Sequence, residues 1–188
     1  MNIEFIELKE EHLSKYQVED FIFKMIKESY GLDYVPEYHF DVKGLNTYYI
    51  SPSKNSLFLA IDTDTDKLIG TAAVRGYDRN DNIKNRNYDL NSTASIYRLF
   101  VKKEYRHNKI ATRLLRKIEE FSKEKEYNEI YLHTQRDSYG ALAFWLHQGY
   151  EIVDDTHDSM GTIHMEKVLN ENVYKLTSLN EVEDKIES

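Results

Sequence analysis

Residues Leu99–Lys117, LFVKKEYRHNKIATRLLRK, decide how this chain is read. The apolar end of a strand runs into Tyr105-Arg106-His107-Asn108-Lys109. Ile110, Ala111, Leu114, Leu115, Ile118 and Phe121 then recur at helical spacing. A helix start presents backbone N–H groups that lack intrahelical partners, at the positive end of the helix dipole, which makes such a junction an anion site in outline. Charge sharpens the point. From Arg98 to Lys117 eight Lys and Arg face Glu104 alone, a net +7, which leaves −15 on the rest of a chain whose total is −8. A basic helix entrance in an acidic protein suggests a polyphosphate ligand, with a solvated helix face as the plainer reading of the same charges.

Outward from this junction strands and helices alternate. TASIYRLFV (93–101) is the strand that feeds the junction. LFLAID (57–62) and KLIGTAAVRGY (67–77) form a hairpin through the turn Asp62–Asp66. Residues 77–92, rich in Asn and Asp, are a long polar loop. Near the N-terminus, NIEFIEL (2–8) alternates as a strand. Val18, Phe21, Ile22, Met25 and Ile26 then mark a helix that Ser14 would cap and Gly31 would end. A short helix is expected near 37–46. Beyond the junction, NEIYLHT (128–134) is a strand and SYGALAFWLHQ (138–148) a helix closed by Gly149. YEIVDD (150–155) and TIHMEKVL (162–169) are strands. This order predicts an α/β (α+β) fold, a mixed and mostly antiparallel central sheet with helices on both faces, in one domain over residues 1–169. The charged tail 170–188 is expected to be helix or disordered.

Composition removes several classes. With 7 Gly and 2 Pro in 188 residues, collagen-like and low-complexity chains are out. The absence of Cys excludes disulfides, thiolate metal sites and a cysteine nucleophile. MNIEFIELKEEH lacks a signal-peptide core, and no run approaches the roughly 18 apolar residues of a membrane span, so a cytoplasmic protein without membrane partners is expected. His107, His133, His147, His157 and His164 lack paired ligand spacing, so no metal is expected. Asp62-x-Asp64-x-Asp66 imitates the start of a calcium loop, but Lys67 stands at the glycine position and Ala73 at the twelfth. Few aromatics interleave with the basic residues of the junction, which argues against nucleic acid.

The pattern YRxxxIAxxLL after a strand resembles motif A of the GNAT superfamily, the acyl-CoA-dependent N-acyltransferases. Arg106-His107-Asn108-Lys109-Ile110-Ala111 stands where the family shows Arg/Gln-x-x-Gly-x-Gly/Ala. Arg98-Leu99-Phe100-Val101 is similar to its fourth strand. Ile130–Thr134, Ala141-Leu142-Ala143-Phe144-Trp145 and Gly149-Tyr150 resemble its motif B. The strong likeness covers about residues 57–169, and two motifs at the right separation in the right element order are fairly specific.

The resemblance implies a GNAT-like fold and an N-acetyltransferase that moves an acetyl group from acetyl-CoA to a primary amine of a small molecule or peptide. Leu99, Phe100 and Val101 would pair with the pantetheine arm like an added strand. Amides of Arg106, His107, Asn108, Lys109, Ile110, Ala111 and Thr112 would cradle the pyrophosphate, with Ser138 and Trp145 on the cofactor side. Lys109 replaces a motif glycine, and Ser138 a frequent Asn. Trp145 stands where a Tyr often protonates the departing thiolate, which leaves Tyr139 or Tyr150 as hydroxyl donors. Ser95 replaces an early Glu, so His133 becomes the foremost candidate base, ahead of His164, Glu166 and Asp89. These departures also motivate a second reading, a CoA-binding sensor without catalysis. Tyr30, Asp33, Tyr34, Tyr38, Asp41, Tyr48 and Tyr49 favour a cationic acceptor near residues 28–50, alongside the 77–92 loop. A homodimer is compatible with the sequence.

Overall fold

The computed structural model describes residues 1–170. Positions 171–188, almost all of the expected tail, lie outside the described residues, as does the Tyr139 side chain. The chain divides into two compact units, residues 1–76 with 95–122, and residues 77–94 with 123 onward.

The first unit orders its strands β1 (Ile3–Glu7), β2 (Ser56–Asp62), β3 (Lys67–Gly76) and β4 (Thr93–Val101), the last contributing residues 95–101. β1–β2 and β2–β3 are antiparallel, with Phe5 opposite Ala60 and Leu59 opposite Thr71. All of β2 is buried, which its near-continuous apolar run requires. Strand alternation sends Leu57, Leu59 and Ile61 into one cluster with Val18, Ile22, Met25 and Ile26 of α2 (Val18–Tyr30). Phe58, one residue out of phase, meets Phe121 of α4 (Ile110–Glu124) edge-on at 6.1 Å. Helices thus cover both faces of these strands, as the sequence predicts.

The N-terminal helices differ from expectation. Ser14 caps nothing. It lies inside α1 (Glu10–Lys15), where the Lys9 N–H donates instead to His12 Nδ1 at 3.0 Å. The chain then breaks at Gln17, which takes a left-handed φ of 47° before α2 begins. Gly31, φ 68°, ends α2 as predicted, its N–H donating to Lys27 O at 2.9 Å. The helix expected near 37–46 is α3 (Pro36–Lys43), with proline in its first turn, followed by a wide helical turn over Asn46–Ile50.

The second unit orders β5 (Glu129–Gln135), β7 (Thr162–Val168) and β6 (Glu151–Asp155), both pairings antiparallel, with α5 (Tyr139–His147) between β5 and β6. The start of β4 belongs here too: the Asn128 N–H donates to Ser92 O at 2.8 Å and the Thr93 hydroxyl to the Glu129 carboxylate. The 77–92 loop is ordered by its own polar groups. Asp89 Oδ1 accepts the N–H groups of Asn91 and Ser92 at 2.8 and 3.1 Å. Tyr77 meets Tyr88 and Tyr131 edge to face, and Tyr88 and Tyr131 are tilted against each other, at 5.0 to 5.3 Å between ring centres.

Two expected outcomes follow from this packing. A Cβ on Gly70 would lie 2.9 Å from Phe100 O and 3.3 Å from the Leu114 side chain, so Gly70→Ala forces β4 and α4 away from β3. A stability loss of about 1–3 kcal/mol in denaturant titration is expected, and an unchanged midpoint would show that the helix can retreat freely. Second, burial lowers the pKa of His39 and of His164, the latter held at 2.8 Å from the Tyr131 hydroxyl and only partly compensated by the Asp81 charge. The unfolded chain binds these protons more readily. Their contribution to stability is therefore complete above about pH 6.5 and is lost as pH falls through that value. His39→Gln and His164→Gln should each remove part of the slope in thermal midpoint below that pH, and a slope kept in both variants would assign it to other groups.

Candidate functional site

The β4–α4 junction lies wholly in the first unit. β4 ends where the Lys102 N–H donates to Ile69 O at 2.9 Å. One tight turn follows, with the Tyr105 N–H donating to Lys102 O at 2.9 Å and the Arg106 N–H to Lys103 O at 3.2 Å. Tyr105 pins the turn through its hydroxyl, which donates to Asp62 Oδ2 at 2.9 Å. Asn108 braces the loop from within, its Nδ2 donating to Tyr105 O and Arg106 O, both at 3.1 Å. His107 and Lys109 are left-handed, at φ 65° and 57°.

That geometry gives the motif glycine its physical reason. The backbone at position 109 needs a positive φ, which glycine takes without cost and lysine takes at about 1–2 kcal/mol. Lys109 therefore keeps the loop's conformation without the residue that makes it easy. Its carbonyl accepts the Arg113 N–H at 3.0 Å, so the helix opens at this residue and the amides of residues 109–112 have no intrahelical acceptor. Arg106, His107, Asn108 and Lys109 are exposed, Ile110 is buried beneath them, and Ala111 and Thr112 are half-buried. The arrangement is a rim of cations and amide donors over an apolar floor, suited to a phosphorylated ligand.

Leu99 and Val101 are half-buried and Phe100 is buried. Just before them the strand carries an irregularity that sequence reasoning missed. Arg98 sits inside β4 with φ 52°, its carbonyl accepting the Thr71 hydroxyl at 2.8 Å. Its side chain reaches Asp41 of α3, Nε to Oδ2 at 3.0 Å and Nη2 to Oδ1 at 2.5 Å. Asp41, expected at an acceptor surface, is instead 1% exposed, and Tyr49 is buried against it with its hydroxyl donating to Asp41 Oδ2 at 2.6 Å. Arg75 completes the group 3.5 Å from Asp41. Burial alone would raise the Asp41 pKa, but the Arg98 hydrogen bond and charge outweigh it and hold the carboxyl below its ordinary value. The one signal available was a carboxylate between His39 and Val42 on the buried side of a helix. Tyr30, Tyr34 and Tyr38 do remain exposed, and the Lys43 ammonium lies 5.6 Å over the Tyr34 ring.

In the second unit His133 is exposed on β5, directly opposite the buried His164. Glu166 is held by Arg86, at 2.9 and 2.8 Å, and by the Tyr88 hydroxyl, and Asp89 is spent on its turn. Of the candidate bases on these strands, His133 is exposed, whereas His164 and Glu166 are buried. Ser138 is exposed immediately before α5. Trp145 is buried, packing edge-on against Phe144 at 5.1 Å and Tyr150 at 5.3 Å, and Tyr150 is buried as well. Beneath the 77–92 loop a polar cavity of about 260 Å³ is lined by Arg79, Asp81, Arg86 and Tyr88 among others. Among the described residues no group of three or more His, Asp or Glu could hold a metal ion, and no helix is long and apolar enough to cross a membrane.

The sequence matches the model of the acetyltransferase (GNAT) family over residues 20–150. No curated protein matches it. Among solved structures, an acetyltransferase of the GNAT family from Staphylococcus aureus Mu50 is similar with a TM-score of 0.69 at 21% identity, covering 90% of this chain and 100% of that one. An acetyltransferase from Streptococcus agalactiae 2603 gives 0.66 at 21%, over 89% and 98%. The PaiA N-acetyltransferase from Thermoplasma acidophilum, solved in complex with coenzyme A, gives 0.61 at 22%, over 89% and 99%. At these identities the likeness is one of fold. The family match spans well over half the chain and includes the whole β4–α4 junction: the chain belongs to the GNAT acetyltransferase family.

Proposed function

We propose that the protein transfers the acetyl group of acetyl-CoA to the nitrogen of a primary amine. The observation that carries the reading is the helix start at Lys109. There a left-handed backbone, unpaired amides and a cluster of exposed cations meet at the end of a strand. The CoA pyrophosphate would take the amides of residues 109–112, with Arg106 and Lys109 adding charge. Pantetheine would run along Leu99–Val101.

With no cysteine in the chain, no protein thiol can carry the acyl group, which favours direct transfer. The amine lone pair attacks the thioester carbonyl carbon, a C–N bond forms, and collapse of the tetrahedral intermediate breaks the C–S bond and releases CoA thiolate. The amine loses a proton and the thiolate gains one. His133 is assigned to the first of these, and Tyr139 to the second. Exposed Tyr30, Tyr34 and Tyr38 with exposed Asp33 and Glu37 favour a cationic acceptor, since the Tyr34 face already accommodates the Lys43 ammonium.

Calorimetry with acetyl-CoA and a thiol-release assay over polyamines, amino acids, aminoglycosides and peptides test the reading. Binding tighter than about millimolar with thiol release from some amine is expected. Binding without release from any of them would leave the CoA sensor, and no binding would overturn both. Ala111→Glu, which puts a carboxylate among the amide donors, should abolish binding; unchanged affinity would move the phosphates elsewhere. Lys109→Gly and Lys109→Ala lose the same charge but differ in backbone cost. The glycine variant should bind acetyl-CoA about five- to tenfold more tightly than the alanine variant, and equal affinities would mean that the left-handed residue is irrelevant to the ligand.

A further inference from the structure

Arg98 poses a problem that the binding site alone does not solve. A left-handed arginine inside a strand is strained, and such strain persists only where the surroundings hold it. The surroundings here are specific. Both oxygens of a buried carboxylate, Asp41, engage the guanidinium at 3.0 and 2.5 Å, and the same Nη2 donates to Tyr38 O at 2.6 Å. Asp41 is itself fixed by the Tyr49 hydroxyl at 2.6 Å and by Arg75 at 3.5 Å. The Arg75 guanidinium in turn lies 3.8 Å over the ring of Tyr97, the residue before Arg98. One carboxylate on α3 therefore anchors two consecutive residues of β4, and the next three are Leu99, Phe100 and Val101.

We propose that Asp41 is a positioning residue for the cofactor: acting through Arg98 and Arg75, it holds the left-handed turn in β4 that sets the backbone of residues 99–101 for the pantetheine arm. This rests on the reading that pantetheine runs along that segment. Removing the Asp41 charge leaves two cations facing each other in a buried space, a strong drive for Arg98 to swing out. Once the side chain is released, an arginine reverts to an ordinary extended φ, and the following peptide groups turn with it.

The test separates this role from simple support of the fold. Acetyl-CoA affinity is measured by calorimetry, and backbone hydrogen exchange over residues 95–101 is measured without ligand, for the wild type, Asp41→Asn, Arg98→Ala, Arg98→Gly and the double variants Asp41→Asn with Arg98→Gly and Asp41→Asn with Arg98→Ala. Glycine keeps a positive φ with no anchor, and alanine does not. Asp41→Asn and Arg98→Ala should each bind about tenfold more weakly and exchange faster over 95–101, while Arg98→Gly should stay within about threefold of wild type. The double variant with glycine should bind more tightly than Asp41→Asn with Arg98→Ala, which removes the same two charges and differs only in the cost of a positive φ at residue 98. Wild-type affinity in Asp41→Asn, or an Arg98→Gly variant as weak as Arg98→Ala, overturns the proposal. Should Asp41→Asn fail to fold, the glycine–alanine pair at 98 decides alone. If the wild type does not bind acetyl-CoA, the functional reading falls instead, and unchanged exchange in Arg98→Ala would then sink the positioning role independently.

Discussion

The closest constraint in the first unit is the approach of β4 and α4 to Gly70. The carbonyl of Phe100 and the side chains of Leu114 and Ile110 occupy the space around the point where any larger residue would place its Cβ. Because the helix is drawn this tightly onto the strands, only a short turn, Lys102 to Lys109, is left to reverse the chain. This turn uses two left-handed residues, His107 and Lys109, and it leaves the first amides of the helix without intrahelical acceptors. These amide donors are thus a consequence of packing, and the exposed cations around them reinforce the positive end of the helix. Arg106 and Lys109 are exposed because the floor beneath them is already filled by Ile110.

The same packing explains why so much was legible. Ile110, Leu114, Leu115, Ile118 and Phe121 are buried because they repeat at helical spacing, and β2 is buried throughout because residues 57–61 between its polar ends are all apolar. Such one-dimensional patterns survive folding when the element is long and one-faced. The short N-terminal elements carry no such pattern. The break at Gln17 depends on a positive φ that no residue type there announces, so Ser14 looked like a cap and is mid-helix. The Arg98–Asp41 pair spans 57 positions of sequence, and nothing local marks the two residues as partners. Loop-borne anion sites are visible in sequence because their parts are adjacent. Ion pairs between distant elements are not.

Charge needed the structure as well. A total of −8 hides a basic junction, and it also hides what the acidic residues do. Asp41 serves Arg98 and Arg75, Asp62 holds Tyr105, Glu166 holds Arg86 and Tyr88, and Asp89 closes its own turn. Carboxylates committed to internal cations and hydroxyls contribute little field to an incoming ligand. Near Tyr34 and Tyr38, Asp33 already pairs with the Lys27 ammonium at 2.9 Å, and Glu37 is a further exposed carboxylate that can attract a cation. With 15 tyrosines in the chain a single one says little in the sequence, but burial separates Tyr49, Tyr131 and Tyr150 from Tyr30, Tyr34 and Tyr38.

That sorting bears on the proton as much as on the acceptor. His164, facing His133 across β5 and β7, shows what burial does to an imidazole here: it is kept neutral and bonded to the Tyr131 hydroxyl, so it takes up a proton only at the expense of the fold. Glu166 is no better placed, since its carboxylate is already taken by the Arg86 guanidinium and the Tyr88 hydroxyl. A base that cycles with each turnover has to change charge cheaply, which favours an exposed group. By that criterion the register that pairs two histidines on adjacent strands divides their work. One ring is committed to the core, and the other lies exposed on the surface of β5.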